Sequence, residues 1–535
     1  MSTITRLRRR VNRRPVDSKP LGRPGFGRRL GSGLRRRAAR AWRRLTAGRP
    51  KPTAEAAWQW LIARGGADGI APDAGRQTSC PGVTGGAIET VLAFGAKEEA
   101  CRWARWLTSI QQADGSLPDG SLRTASLFNT AQAARGLLAV EEELPEAAAA
   151  ARAACGYLRS QIDRYGRTPR SERLSTESAE SRTILLACLP PLWEGARRFH
   201  QPDWEAAVRR IVTGELQTIE TFRLELPTHV LARRIDALVE LGCRETAAYL
   251  LQSVGAEQRR DGSMATLPGA AWVSSAGLAH LAVCWYKLAG DDPLARRRAD
   301  RAMQCLARRQ SREGGFRGSW GRGATNHPKT ELAWTAKHYL DAALLQVRSA
   351  FDLSHVPNSI DPADGRVQAV RRWLAELPGD ARVADVGCGR GRFLRHLIQW
   401  FPDARLTGID LSAAMLDDLP PGVAALHGSL LRIPAADGTF DGAFAVESLE
   451  HALLPARAVA ELCRVVRPGG RVLIIDKHRR RQPLSLYEPW ERWFTPQELA
   501  GWLEPSCDEV RVGPVSHLEG RGGNRLFLAA TGRRR

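Results

Sequence analysis

The sequence of 535 residues predicts a multidomain protein, in which an all-α (α/α)6 toroid is followed by a doubly wound α/β domain. A Gln, acid and Gly pattern recurs through an Ala- and Leu-rich region, which indicates repeated helical hairpins. Farther along, strand-like runs alternate with helical patterns, as in parallel sheets. The predicted parts are a basic tail over 1–50, the toroid over 54–347, a linker with a lead-in helix over 348–378, and the α/β domain over 379–535.

Most of the net charge of +22 lies in the N-terminal tail, because residues 1–50 hold 16 arginines and Lys19 against a single acid, Asp17. Like-charge repulsion together with Gly and Pro predicts disorder up to about residue 34. Residues 34–46 have the pattern of a basic helix. We interpret the tail either as a solvated segment or as a contact for an anionic membrane surface or nucleic acid.

Composition also limits the compartment and the metal content. The tail lacks the apolar core of a secretory signal, and no run of about 18 apolar residues occurs, so no transmembrane segment is expected. We predict a cytoplasmic protein, with a peripheral position at the inner membrane face as the alternative. The ten cysteines form no CxxC pair and no zinc-like cluster, which predicts reduced thiols and no metal site.

The helical region carries the pattern Gln, two residues, acid, Gly. Clear copies begin at Gln111, Gln258 and Gln310, weaker ones lie at 65–69 and 161–166, and a doubtful one surrounds Gln217. The intervals between copies fit two helices and their turns. Each glycine is expected to stop a helix in the left-handed conformation. About six hairpins of this kind predict a ring whose inner helices line a central cavity.

This repeat pattern resembles the toroids of the terpenoid-cyclase and protein-prenyltransferase superfamily, whose repeats end in similar Gln- and Gly-rich turns. The DxDD motif of class II cyclases and the zinc ligands of the prenyltransferases are absent from the sequence. We interpret the cavity as a binding site or scaffold, with catalysis by the toroid as the alternative. The candidate cavity residues are Glu177, Glu180, His229, Trp272, His327, Lys329, Glu331, Trp334 and Lys337. Trp334, His338 and Asp341 recur at helical spacing, on a helix that we interpret either as ligand-binding or as packing.

The α/β domain is predicted element by element. A lead-in helix is expected over 364–377. Strands are expected over 382–386, 405–409, 423–427, 440–446 and 471–475, with an antiparallel edge hairpin over 508–513 and 525–530. Helices are expected over 391–400, 412–418, 455–466 and 495–503. In such sheets ligands bind at the carboxyl ends of the strands.

The first strand runs into three alternating glycines, Gly387, Gly389 and Gly391, with Asp385 just before them. The spacing G-x-G-x-G differs from the G-x-G-x-x-G of dinucleotide sites. Asp410 ends the second strand, where a carboxylate can accept from both hydroxyls of a ribose. These features predict a nucleoside-containing cofactor on the first turn.

The wider motif set is similar to the class I S-adenosylmethionine-dependent methyltransferases, in particular their small-molecule branch. The set comprises the acid-Gly-x-Gly-x-Gly turn, Asp410, the run from Ile433-Pro434 to Phe440-Asp441, and Arg464 to Gly470. The resemblance implies a Rossmann-like fold and S-adenosyl-L-methionine as the cofactor. It also implies that Asp385 holds the amino end, that the glycines lie against the methionine part, that Asp410 and Leu411 hold the ribose, and that Ser429 and Leu430 reach the adenine.

Two further groups of residues are candidates for catalysis and acceptor binding. Glu447 and His451 follow the fourth strand, and His451 has the intrinsic pKa of a general base; a structural hydrogen bond is the alternative. Glu447 is also expected to contact the cofactor. The resemblance places a cap over the acceptor pocket at Arg480, Tyr487, Trp490 and Trp493, with a packing role as the alternative.

The sequence therefore predicts a methyltransferase that acts on a small molecule or on a glycan- or lipid-linked acceptor, with the toroid binding or presenting that acceptor. A bifunctional enzyme, whose toroid also catalyses cyclase- or lyase-type chemistry, is the alternative. Methylation of nucleic acid is a weaker idea, because the Asn/Asp-Pro-Pro-aromatic motif is missing from the sequence.

Overall fold

The computed structural model describes residues 53–167, 179–217, 226–352, 356–481, 488–516 and 525–535. All of them belong to one compact unit. The basic tail, Glu177 and Tyr487 lie outside the described residues, as does the side chain of Glu180. No helix in the described ranges is both long and apolar enough to cross a bilayer.

The N-terminal part is helical. Its helices are α1 (Ala54–Ile62), α2 (Pro81–Ala93), α3 (Lys97–Ser109), α4 (Leu127–Ala139), α5 (Ala147–Arg167), α6 (Ala179–Ala187), α7 (Leu189–Arg198), α8 (Pro202–Leu216), α9 (Thr228–Glu240), α10 (Arg244–Ala256), α11 (Ser275–Lys287), α12 (Pro293–Ala307) and α13 (Ala333–Asp352). Two small antiparallel pairs of strands lie among them, β1 (Gly65–Gly66) with β2 (Gly69–Ile70), and β3 (Trp272–Ser274) with β4 (Ser319–Gly321).

Six of these helices contact one another in a closed circuit. In chain order, α2, α4, α6, α9, α11 and α13 each pack against the next, and α13 returns to pack against α1 and α2. We call these six helices the helical ring. Their facing sides supply much of a large apolar core, whose fully buried members include Trp103, Trp285 and Leu137.

The three clear copies of the repeat pattern tie neighbouring hairpins together. Each glutamine amide donates to the carbonyl of the glycine in its own turn and to a carbonyl near the start of another helix. Gln310 donates to the Thr53 carbonyl at 3.1 Å, and Thr53 caps the first helix of the described chain. The last copy therefore joins the end of the helical part to its beginning.

The glycine of this pattern has a different purpose from the predicted helix stop. Helix α3 ends at Ser109, well before Gly115. Gly115 has a φ of 85°, and a Cβ there would lie 2.2 Å from the Ala153 carbonyl oxygen of α5. The glycine thus permits close approach of two backbones. The weak copy at 161–166 was a wrong prediction, because Gln161 lies inside α5.

The C-terminal part contains a seven-stranded sheet in the order β10-β11-β9-β8-β5-β6-β7. Strands β5 to β9 pair in parallel, and β9, β11 and β10 pair antiparallel. The strands are β5 (Arg382–Val386), β6 (Arg405–Asp410), β7 (Ala424–His427), β8 (Phe440–Val446), β9 (Val466–Lys477), β10 (Cys507–Val515) and β11 (Phe527–Arg534). This mostly parallel sheet confirms the predicted Rossmann-like α/β part.

Helices accompany the sheet in the predicted order. They are α14 (Gly365–Leu374), α15 (Leu394–Trp400), α16 (Ala413–Leu416), α17 (Pro455–Arg464) and α18 (Pro496–Leu503). The amphipathic α17 buries Ala458, Val459 and Leu462, and the central strand β8 is almost wholly buried. A central strand with both faces covered is expected to be apolar along its length.

The helical part and the sheet part are joined by polar contacts. The guanidinium of Arg457 in α17 donates to the carbonyls of Phe94, at 3.0 Å, and Gly95, at 2.6 Å, just beyond α2. Gly95 has a φ of 78°, and a Cβ there would lie 2.1 Å from the carbonyl oxygen of Leu431. The loop after β7 is therefore seated directly on the end of a ring helix.

Candidate active site

A cavity of about 990 Å³, counted to its open mouth, lies at the carboxyl edge of the parallel strands. Turns after β5, β6, β7 and β8 contribute to its wall, as expected where parallel strands end together. Helix α13 supplies a further wall through Leu344, Val347 and Phe351, which share one helical face. The predicted site residues that line this cavity are Gly387, Gly389, Asp410, Leu411, Ser429, Leu430, Glu447 and His451.

All three glycines of the first turn have positive φ angles, but they meet different neighbours. A Cβ on Gly387 would lie 2.3 Å from the Cβ of Ser448, and one on Gly391 would lie 2.7 Å from a methyl of Leu419. These two glycines are required by packing within the protein. A Cβ on Gly389 would meet no atom closer than 3.6 Å, so its open side faces the cavity.

Two carboxylates lie behind this turn. Asp410 accepts from the backbone N–H groups of Ser412, at 2.9 Å, and Gly389, at 2.8 Å. Asp385 is buried, and its Oδ2 atom has no hydrogen-bond partner among the described residues. Burial, and then the nearby charge of Asp410, raises the pKa of Asp385 well above its usual range. Burial also raises the pKa of Asp410.

Glu447 is held by two guanidinium groups. It accepts from Arg392 at 2.6 Å and also from Arg366, which Asp364 binds in turn at 2.8 Å. Glu447 has a φ of 52°, an uncommon conformation for a residue with a side chain. Sequence reasoning missed Arg366, because it lies on α14, 81 positions from Glu447, in a segment with no motif. This arrangement fixes the Glu447 carboxylate at the cavity wall.

A comparison with protein families matches residues 384–474 to the family described as "Methyltransferase domain". The matched residues run from β5 into β9 and include the turns that build the cavity. Residues 384–474 are a methyltransferase domain. The predicted class of enzyme and its cofactor, S-adenosyl-L-methionine, are thereby confirmed for this domain.

Curated relatives match the same part of the chain. The demethylmenaquinone methyltransferase of Roseiflexus castenholzii is 34% identical over 122 residues, covering 22% of this chain and 51% of the relative. The 2-methyl-6-phytyl-1,4-hydroquinone methyltransferase of Synechocystis is 32% identical over 166 residues, covering 29% of this chain and 51% of the relative. The chain thus spans about half the length of these curated relatives.

Solved structures also match. A SAM-dependent methyltransferase from Aquifex aeolicus has 21% sequence identity and a TM-score of 0.27, with coverage of 32% of this chain and 92% of that chain.

The residues of the methyltransferase domain fit the cofactor by their own chemistry. The unpartnered Oδ2 of Asp385 is a buried acceptor, which is costly without a donor and suits an ammonium group. Asp410 retains acceptor capacity beyond its two backbone bonds, which suits ribose hydroxyls. The exposed side of Gly389 leaves the backbone open to a ligand.

His451 stands at the cavity at one end of a charged chain. Its Nε2 atom lies 3.4 Å from Oε1 of the buried Glu450, to which Lys477 donates at 2.8 Å. Lys477 also contacts Glu491 at 3.2 Å. The ring of Phe351 packs edge-on against His451 with centroids 4.9 Å apart. This chain orients the imidazole, and its Nδ1 atom has no partner among the described residues.

The four residues predicted to cap an acceptor pocket lie outside the wall of this cavity, as far as they are described. Trp493 is buried, and its indole N–H donates to Glu491 at 2.7 Å. Trp490 is half-buried and Arg480 is exposed. Tyr487 lies outside the described residues. Their predicted role in acceptor binding stays a prediction.

A second cavity, of about 1020 Å³, lies within the helical ring and is lined by residues from all six of its helices. Two of the predicted cavity residues, Trp334 and Lys337, lie on its wall, together with His338 and Asp341 of the same helix. His229, Trp272, His327, Lys329 and Glu331 do not line it. Sequence reasoning missed the charged residues opposite them, on α2, α4, α9 and α11, because single acids and bases in helices carry no local signature.

Three potential metal ligands, Asp236, His280 and Cys284, come together beside this second cavity. Lys287 donates to Asp236 at 2.7 Å, which places a cation where a metal ion would have to bind. Burial, with the charge of Asp236, raises the pKa of the Cys284 thiol well above its usual range. The group is therefore better described as a hydrogen-bonded cluster than as a metal centre.

Proposed function

We propose that the protein is an S-adenosylmethionine-dependent methyltransferase that acts on a small-molecule or glycan- or lipid-linked acceptor presented by its helical part. The observation that carries this proposal is the cavity at the carboxyl edge of the sheet, with the buried, unpartnered acceptor of Asp385 beside an open glycine turn. The names of the relatives, which refer to quinone and hydroquinone substrates, support a small-molecule acceptor.

When bound, S-adenosylmethionine supplies an electrophilic methyl group on a sulfonium. In our proposal, Asp385 holds the ammonium, Asp410 and Leu411 hold the ribose, and Ser429 and Leu430 lie beside the adenine. Leu344, Val347 and Phe351 of α13 supply an apolar wall that excludes water from the reacting centre.

His451 is the base that we propose for a hydroxyl acceptor. It lies on the cavity wall, and Glu450 holds one ring nitrogen while the other is without a partner among the described residues. Glu447 is less suited to accept a proton, since two guanidinium groups already donate to its carboxylate. We propose that Glu447 positions Arg366 and Arg392 at the cofactor.

We further propose that the helical part, over 54–347, is an (α/α)6 toroid and that residues 379–535 form the Rossmann-like unit, joined by the linker over 348–378. The circuit of contacts through the six ring helices and the bond from Gln310 to Thr53 support the toroid. The alternative, cyclase- or lyase-type chemistry within the ring, is supported by the charged residues and imidazoles of the second cavity.

Calorimetric titration of the full chain with S-adenosylhomocysteine tests the proposal. We expect binding by the unaltered protein and a loss of about a hundredfold in affinity in Asp410→Ala, because at least two hydrogen bonds to a charged group are lost. Asp417→Ala, which alters an exposed acid nearby, is the matched control. Incubation with labelled S-adenosylmethionine and a cell extract should then yield a product heavier by one methylene group. Absence of any binding to the folded, unaltered chain contradicts the proposal.

A further inference from the structure

The second cavity is positioned to deliver a ligand to the first. Leu344 of α13 lines both cavities, so they meet at this side chain. On the other side, Glu89, Arg135 and Glu240 line both the ring cavity and a further pocket of about 800 Å³ that reaches the exposed residues Glu194 and Arg197. The three cavities therefore adjoin one another in a row from the surface, through the ring, to the cofactor cavity, with these shared side chains between them.

The wall of the ring cavity is mostly apolar in area, but it also carries charged side chains, which are paired with one another. Lys287 contacts Asp236 at 2.7 Å and Glu240 at 2.8 Å, and Glu240 also binds Arg135. Lys337 contacts Asp341 at 2.8 Å, and Arg135 reaches Glu89 at 3.4 Å. Such pairs keep hydrogen-bonding capacity for a ligand. A charged ligand, however, would have to displace one member of an existing ion pair before it could bind the other.

One side of the ring cavity is a row of four flat rings. Phe128 lies 6.1 Å from Trp334, Trp334 lies 5.7 Å from His338, and His338 stacks on His280 at 4.1 Å with an interplanar angle of 8°. All four residues line the cavity. Because Trp334, His338 and His280 are stacked face to face, the row borders the cavity mainly with ring edges, beside hydrogen-bonding groups.

The pKa values of both imidazoles of this row are lowered, which favours their neutral form. Burial lowers the pKa of His280, and burial with the nearby His280 and Lys337 holds the pKa of His338 well below its usual range. His280 contacts Asp236 at 2.9 Å through Nε2. Burial alone would raise the pKa of Asp236, but Lys287 and His280 together hold it well below its usual range. The Asp236 carboxylate is thus charged and fixes the orientation of a neutral ring.

These features select one class of ligand. An apolar polyene would displace water from the ion pairs of the wall and leave their remaining donors and acceptors unsatisfied, which is costly. A strongly charged headgroup would meet acids and bases in equal measure. A neutral polyhydroxylated ring can donate to the carboxylates, accept from Arg135 and Lys287, and place its C–H groups against the edges of the aromatic rings.

Taking the methyl transfer above as given, we propose that the ring cavity binds an uncharged, sugar-like part of the acceptor and holds it on the aromatic row of Phe128, Trp334, His338 and His280. The nucleophile of that acceptor reaches the cofactor cavity past Leu344. The acceptor is then a glycan or glycoside rather than a bare quinone or polyene.

Saturation-transfer NMR on the full chain tests this assignment. The probes are the methyl glycosides of glucose, galactose, mannose, rhamnose and N-acetylglucosamine, compared with phenyl phosphate, benzyltrimethylammonium and farnesol. We expect at least one glycoside to receive saturation, and to lose most of it in Trp334→Leu and in His280→Gln. Tyr249→Leu, which removes an exposed aromatic ring from α10, is the control and should keep the signal.

Titration with S-adenosylhomocysteine is run in parallel, and it should give the same affinity in all variants, which shows that they are folded. Stronger binding of the phosphate, the ammonium or farnesol than of every glycoside would overturn the sugar assignment, as would equal glycoside signals in Trp334→Leu and the unaltered protein. If no glycoside binds while S-adenosylhomocysteine does, the sugar site is refuted and methyl transfer stands. If a glycoside binds but S-adenosylhomocysteine does not, methyl transfer is refuted and the sugar site stands.

Discussion

Asp385 is the residue whose surroundings most clearly require a ligand. Its carboxyl group is buried, and one oxygen has no partner among the described residues. Leaving a buried polar group unpaired costs about 1–3 kcal/mol. The unpaired oxygen lowers the stability of the ligand-free protein. A ligand that donates a hydrogen bond to it removes this penalty, so the same oxygen raises the affinity for the ligand.

This relation predicts an opposite effect of Asp385→Asn on stability and on binding. The folded protein keeps the Asp385 proton at pH values where the unfolded chain has released it, since burial raises the pKa from its ordinary 3.8. Stability of the ligand-free protein therefore falls as the pH rises from the ordinary value through the raised one. We expect D385N to unfold at a higher temperature at neutral pH, with a flatter pH dependence, and to bind S-adenosylhomocysteine about tenfold or more weakly.

Differential scanning calorimetry across the acid-to-neutral range measures the first effect, and calorimetric titration measures the second. Asp380→Asn, at an exposed position just before β5, is the matched control and should change neither. A ligand-free D385N protein with unaltered stability and unaltered affinity would contradict this account of the carboxylate.

The three glycines show how far sequence reasoning reaches at single residues. The alternating spacing correctly predicted a tight turn at the carboxyl end of β5, because only glycine adopts positive φ freely. It did not predict that Gly387 and Gly391 are required by Ser448 and Leu419, since those neighbours come from distant turns. Of these three glycines, only Gly389 is open to the cavity. The alternating glycines are therefore required by packing within the protein as much as by contact with a ligand.

At the scale of elements, the repeat turns act as ties between helices. The copy at Gln310 differs from the others because it joins the last repeat to Thr53 at the start of α1, whereas Gln258 joins two consecutive hairpins. Both glutamines donate two hydrogen bonds of the same kind, and Gln310 also accepts from the Thr53 N–H at 3.0 Å.

We therefore expect Gln258→Ala to lower the free energy of unfolding by about 1–3 kcal/mol, and Gln310→Ala to lower it by at least as much, because one more hydrogen bond is lost. Their local effects should differ. Hydrogen exchange in Gln310→Ala should increase in α1, over Ala54–Ile62, whereas Gln258→Ala should leave α1 protected. Equal exchange in α1 for the two variants would show that the tie to Thr53 does not hold the ring closed.

The strands were well predicted because their signals are local. The predicted bounds of β5 and β8 agree with the structure, and those of β6 and β7 differ by one residue. Strand β9 is longer than expected, over Val466–Lys477, because it continues through Pro468-Gly469-Gly470, which has the composition of a turn. These three residues form the irregularity between the pairs Phe440 with Val466 and Gly442 with Arg471, and Gly469 has a φ of 78°, so the turn-like composition appears as a bulge within the strand.

At the scale of the molecule, the contacts between the ring and the sheet reach the cofactor cavity. Arg457 holds the carbonyls beyond α2, Gly95 contacts the backbone of Leu431, and the neighbouring Arg432 pairs with Glu143 of the helical part. Ser429 and Leu430, on the same loop, line the cavity. The position of this loop thus depends on the helical part.

Arg457→Ala tests this dependence. The variant loses two hydrogen bonds from a charged group, so we expect a lower free energy of unfolding by about 1.5–3 kcal/mol or more. We also expect weaker binding of S-adenosylhomocysteine, although Arg457 does not line the cavity. Chemical unfolding and calorimetric titration measure the two effects.

The matched control for this variant is Arg371→Ala on α14. It removes a cationic side chain that stacks on Trp400, and it should leave the affinity for S-adenosylhomocysteine unaltered. Equal affinities of Arg457→Ala and Arg371→Ala would show that the loop after β7 keeps its position without this contact.

Such long-range relations explain what the sequence could not predict of the site. Motifs located the cofactor turns, because each turn follows its own strand. Arg366 and Phe351 reach the site from other segments and carry no signature that marks them as site residues. Their contribution depends on how α13 and α14 pack, which follows from the assembled structure alone.

Helix α13 has a consequence for how this protein can be divided or recombined. The predicted seam at residue 347 falls within its span, Ala333–Asp352, and this one helix forms a wall of both cavities. A gene fusion or transplant that cut the chain there would strip each half of part of its binding surface. The helical part and the sheet part therefore have to be kept together, because both of their cavities need this one helix.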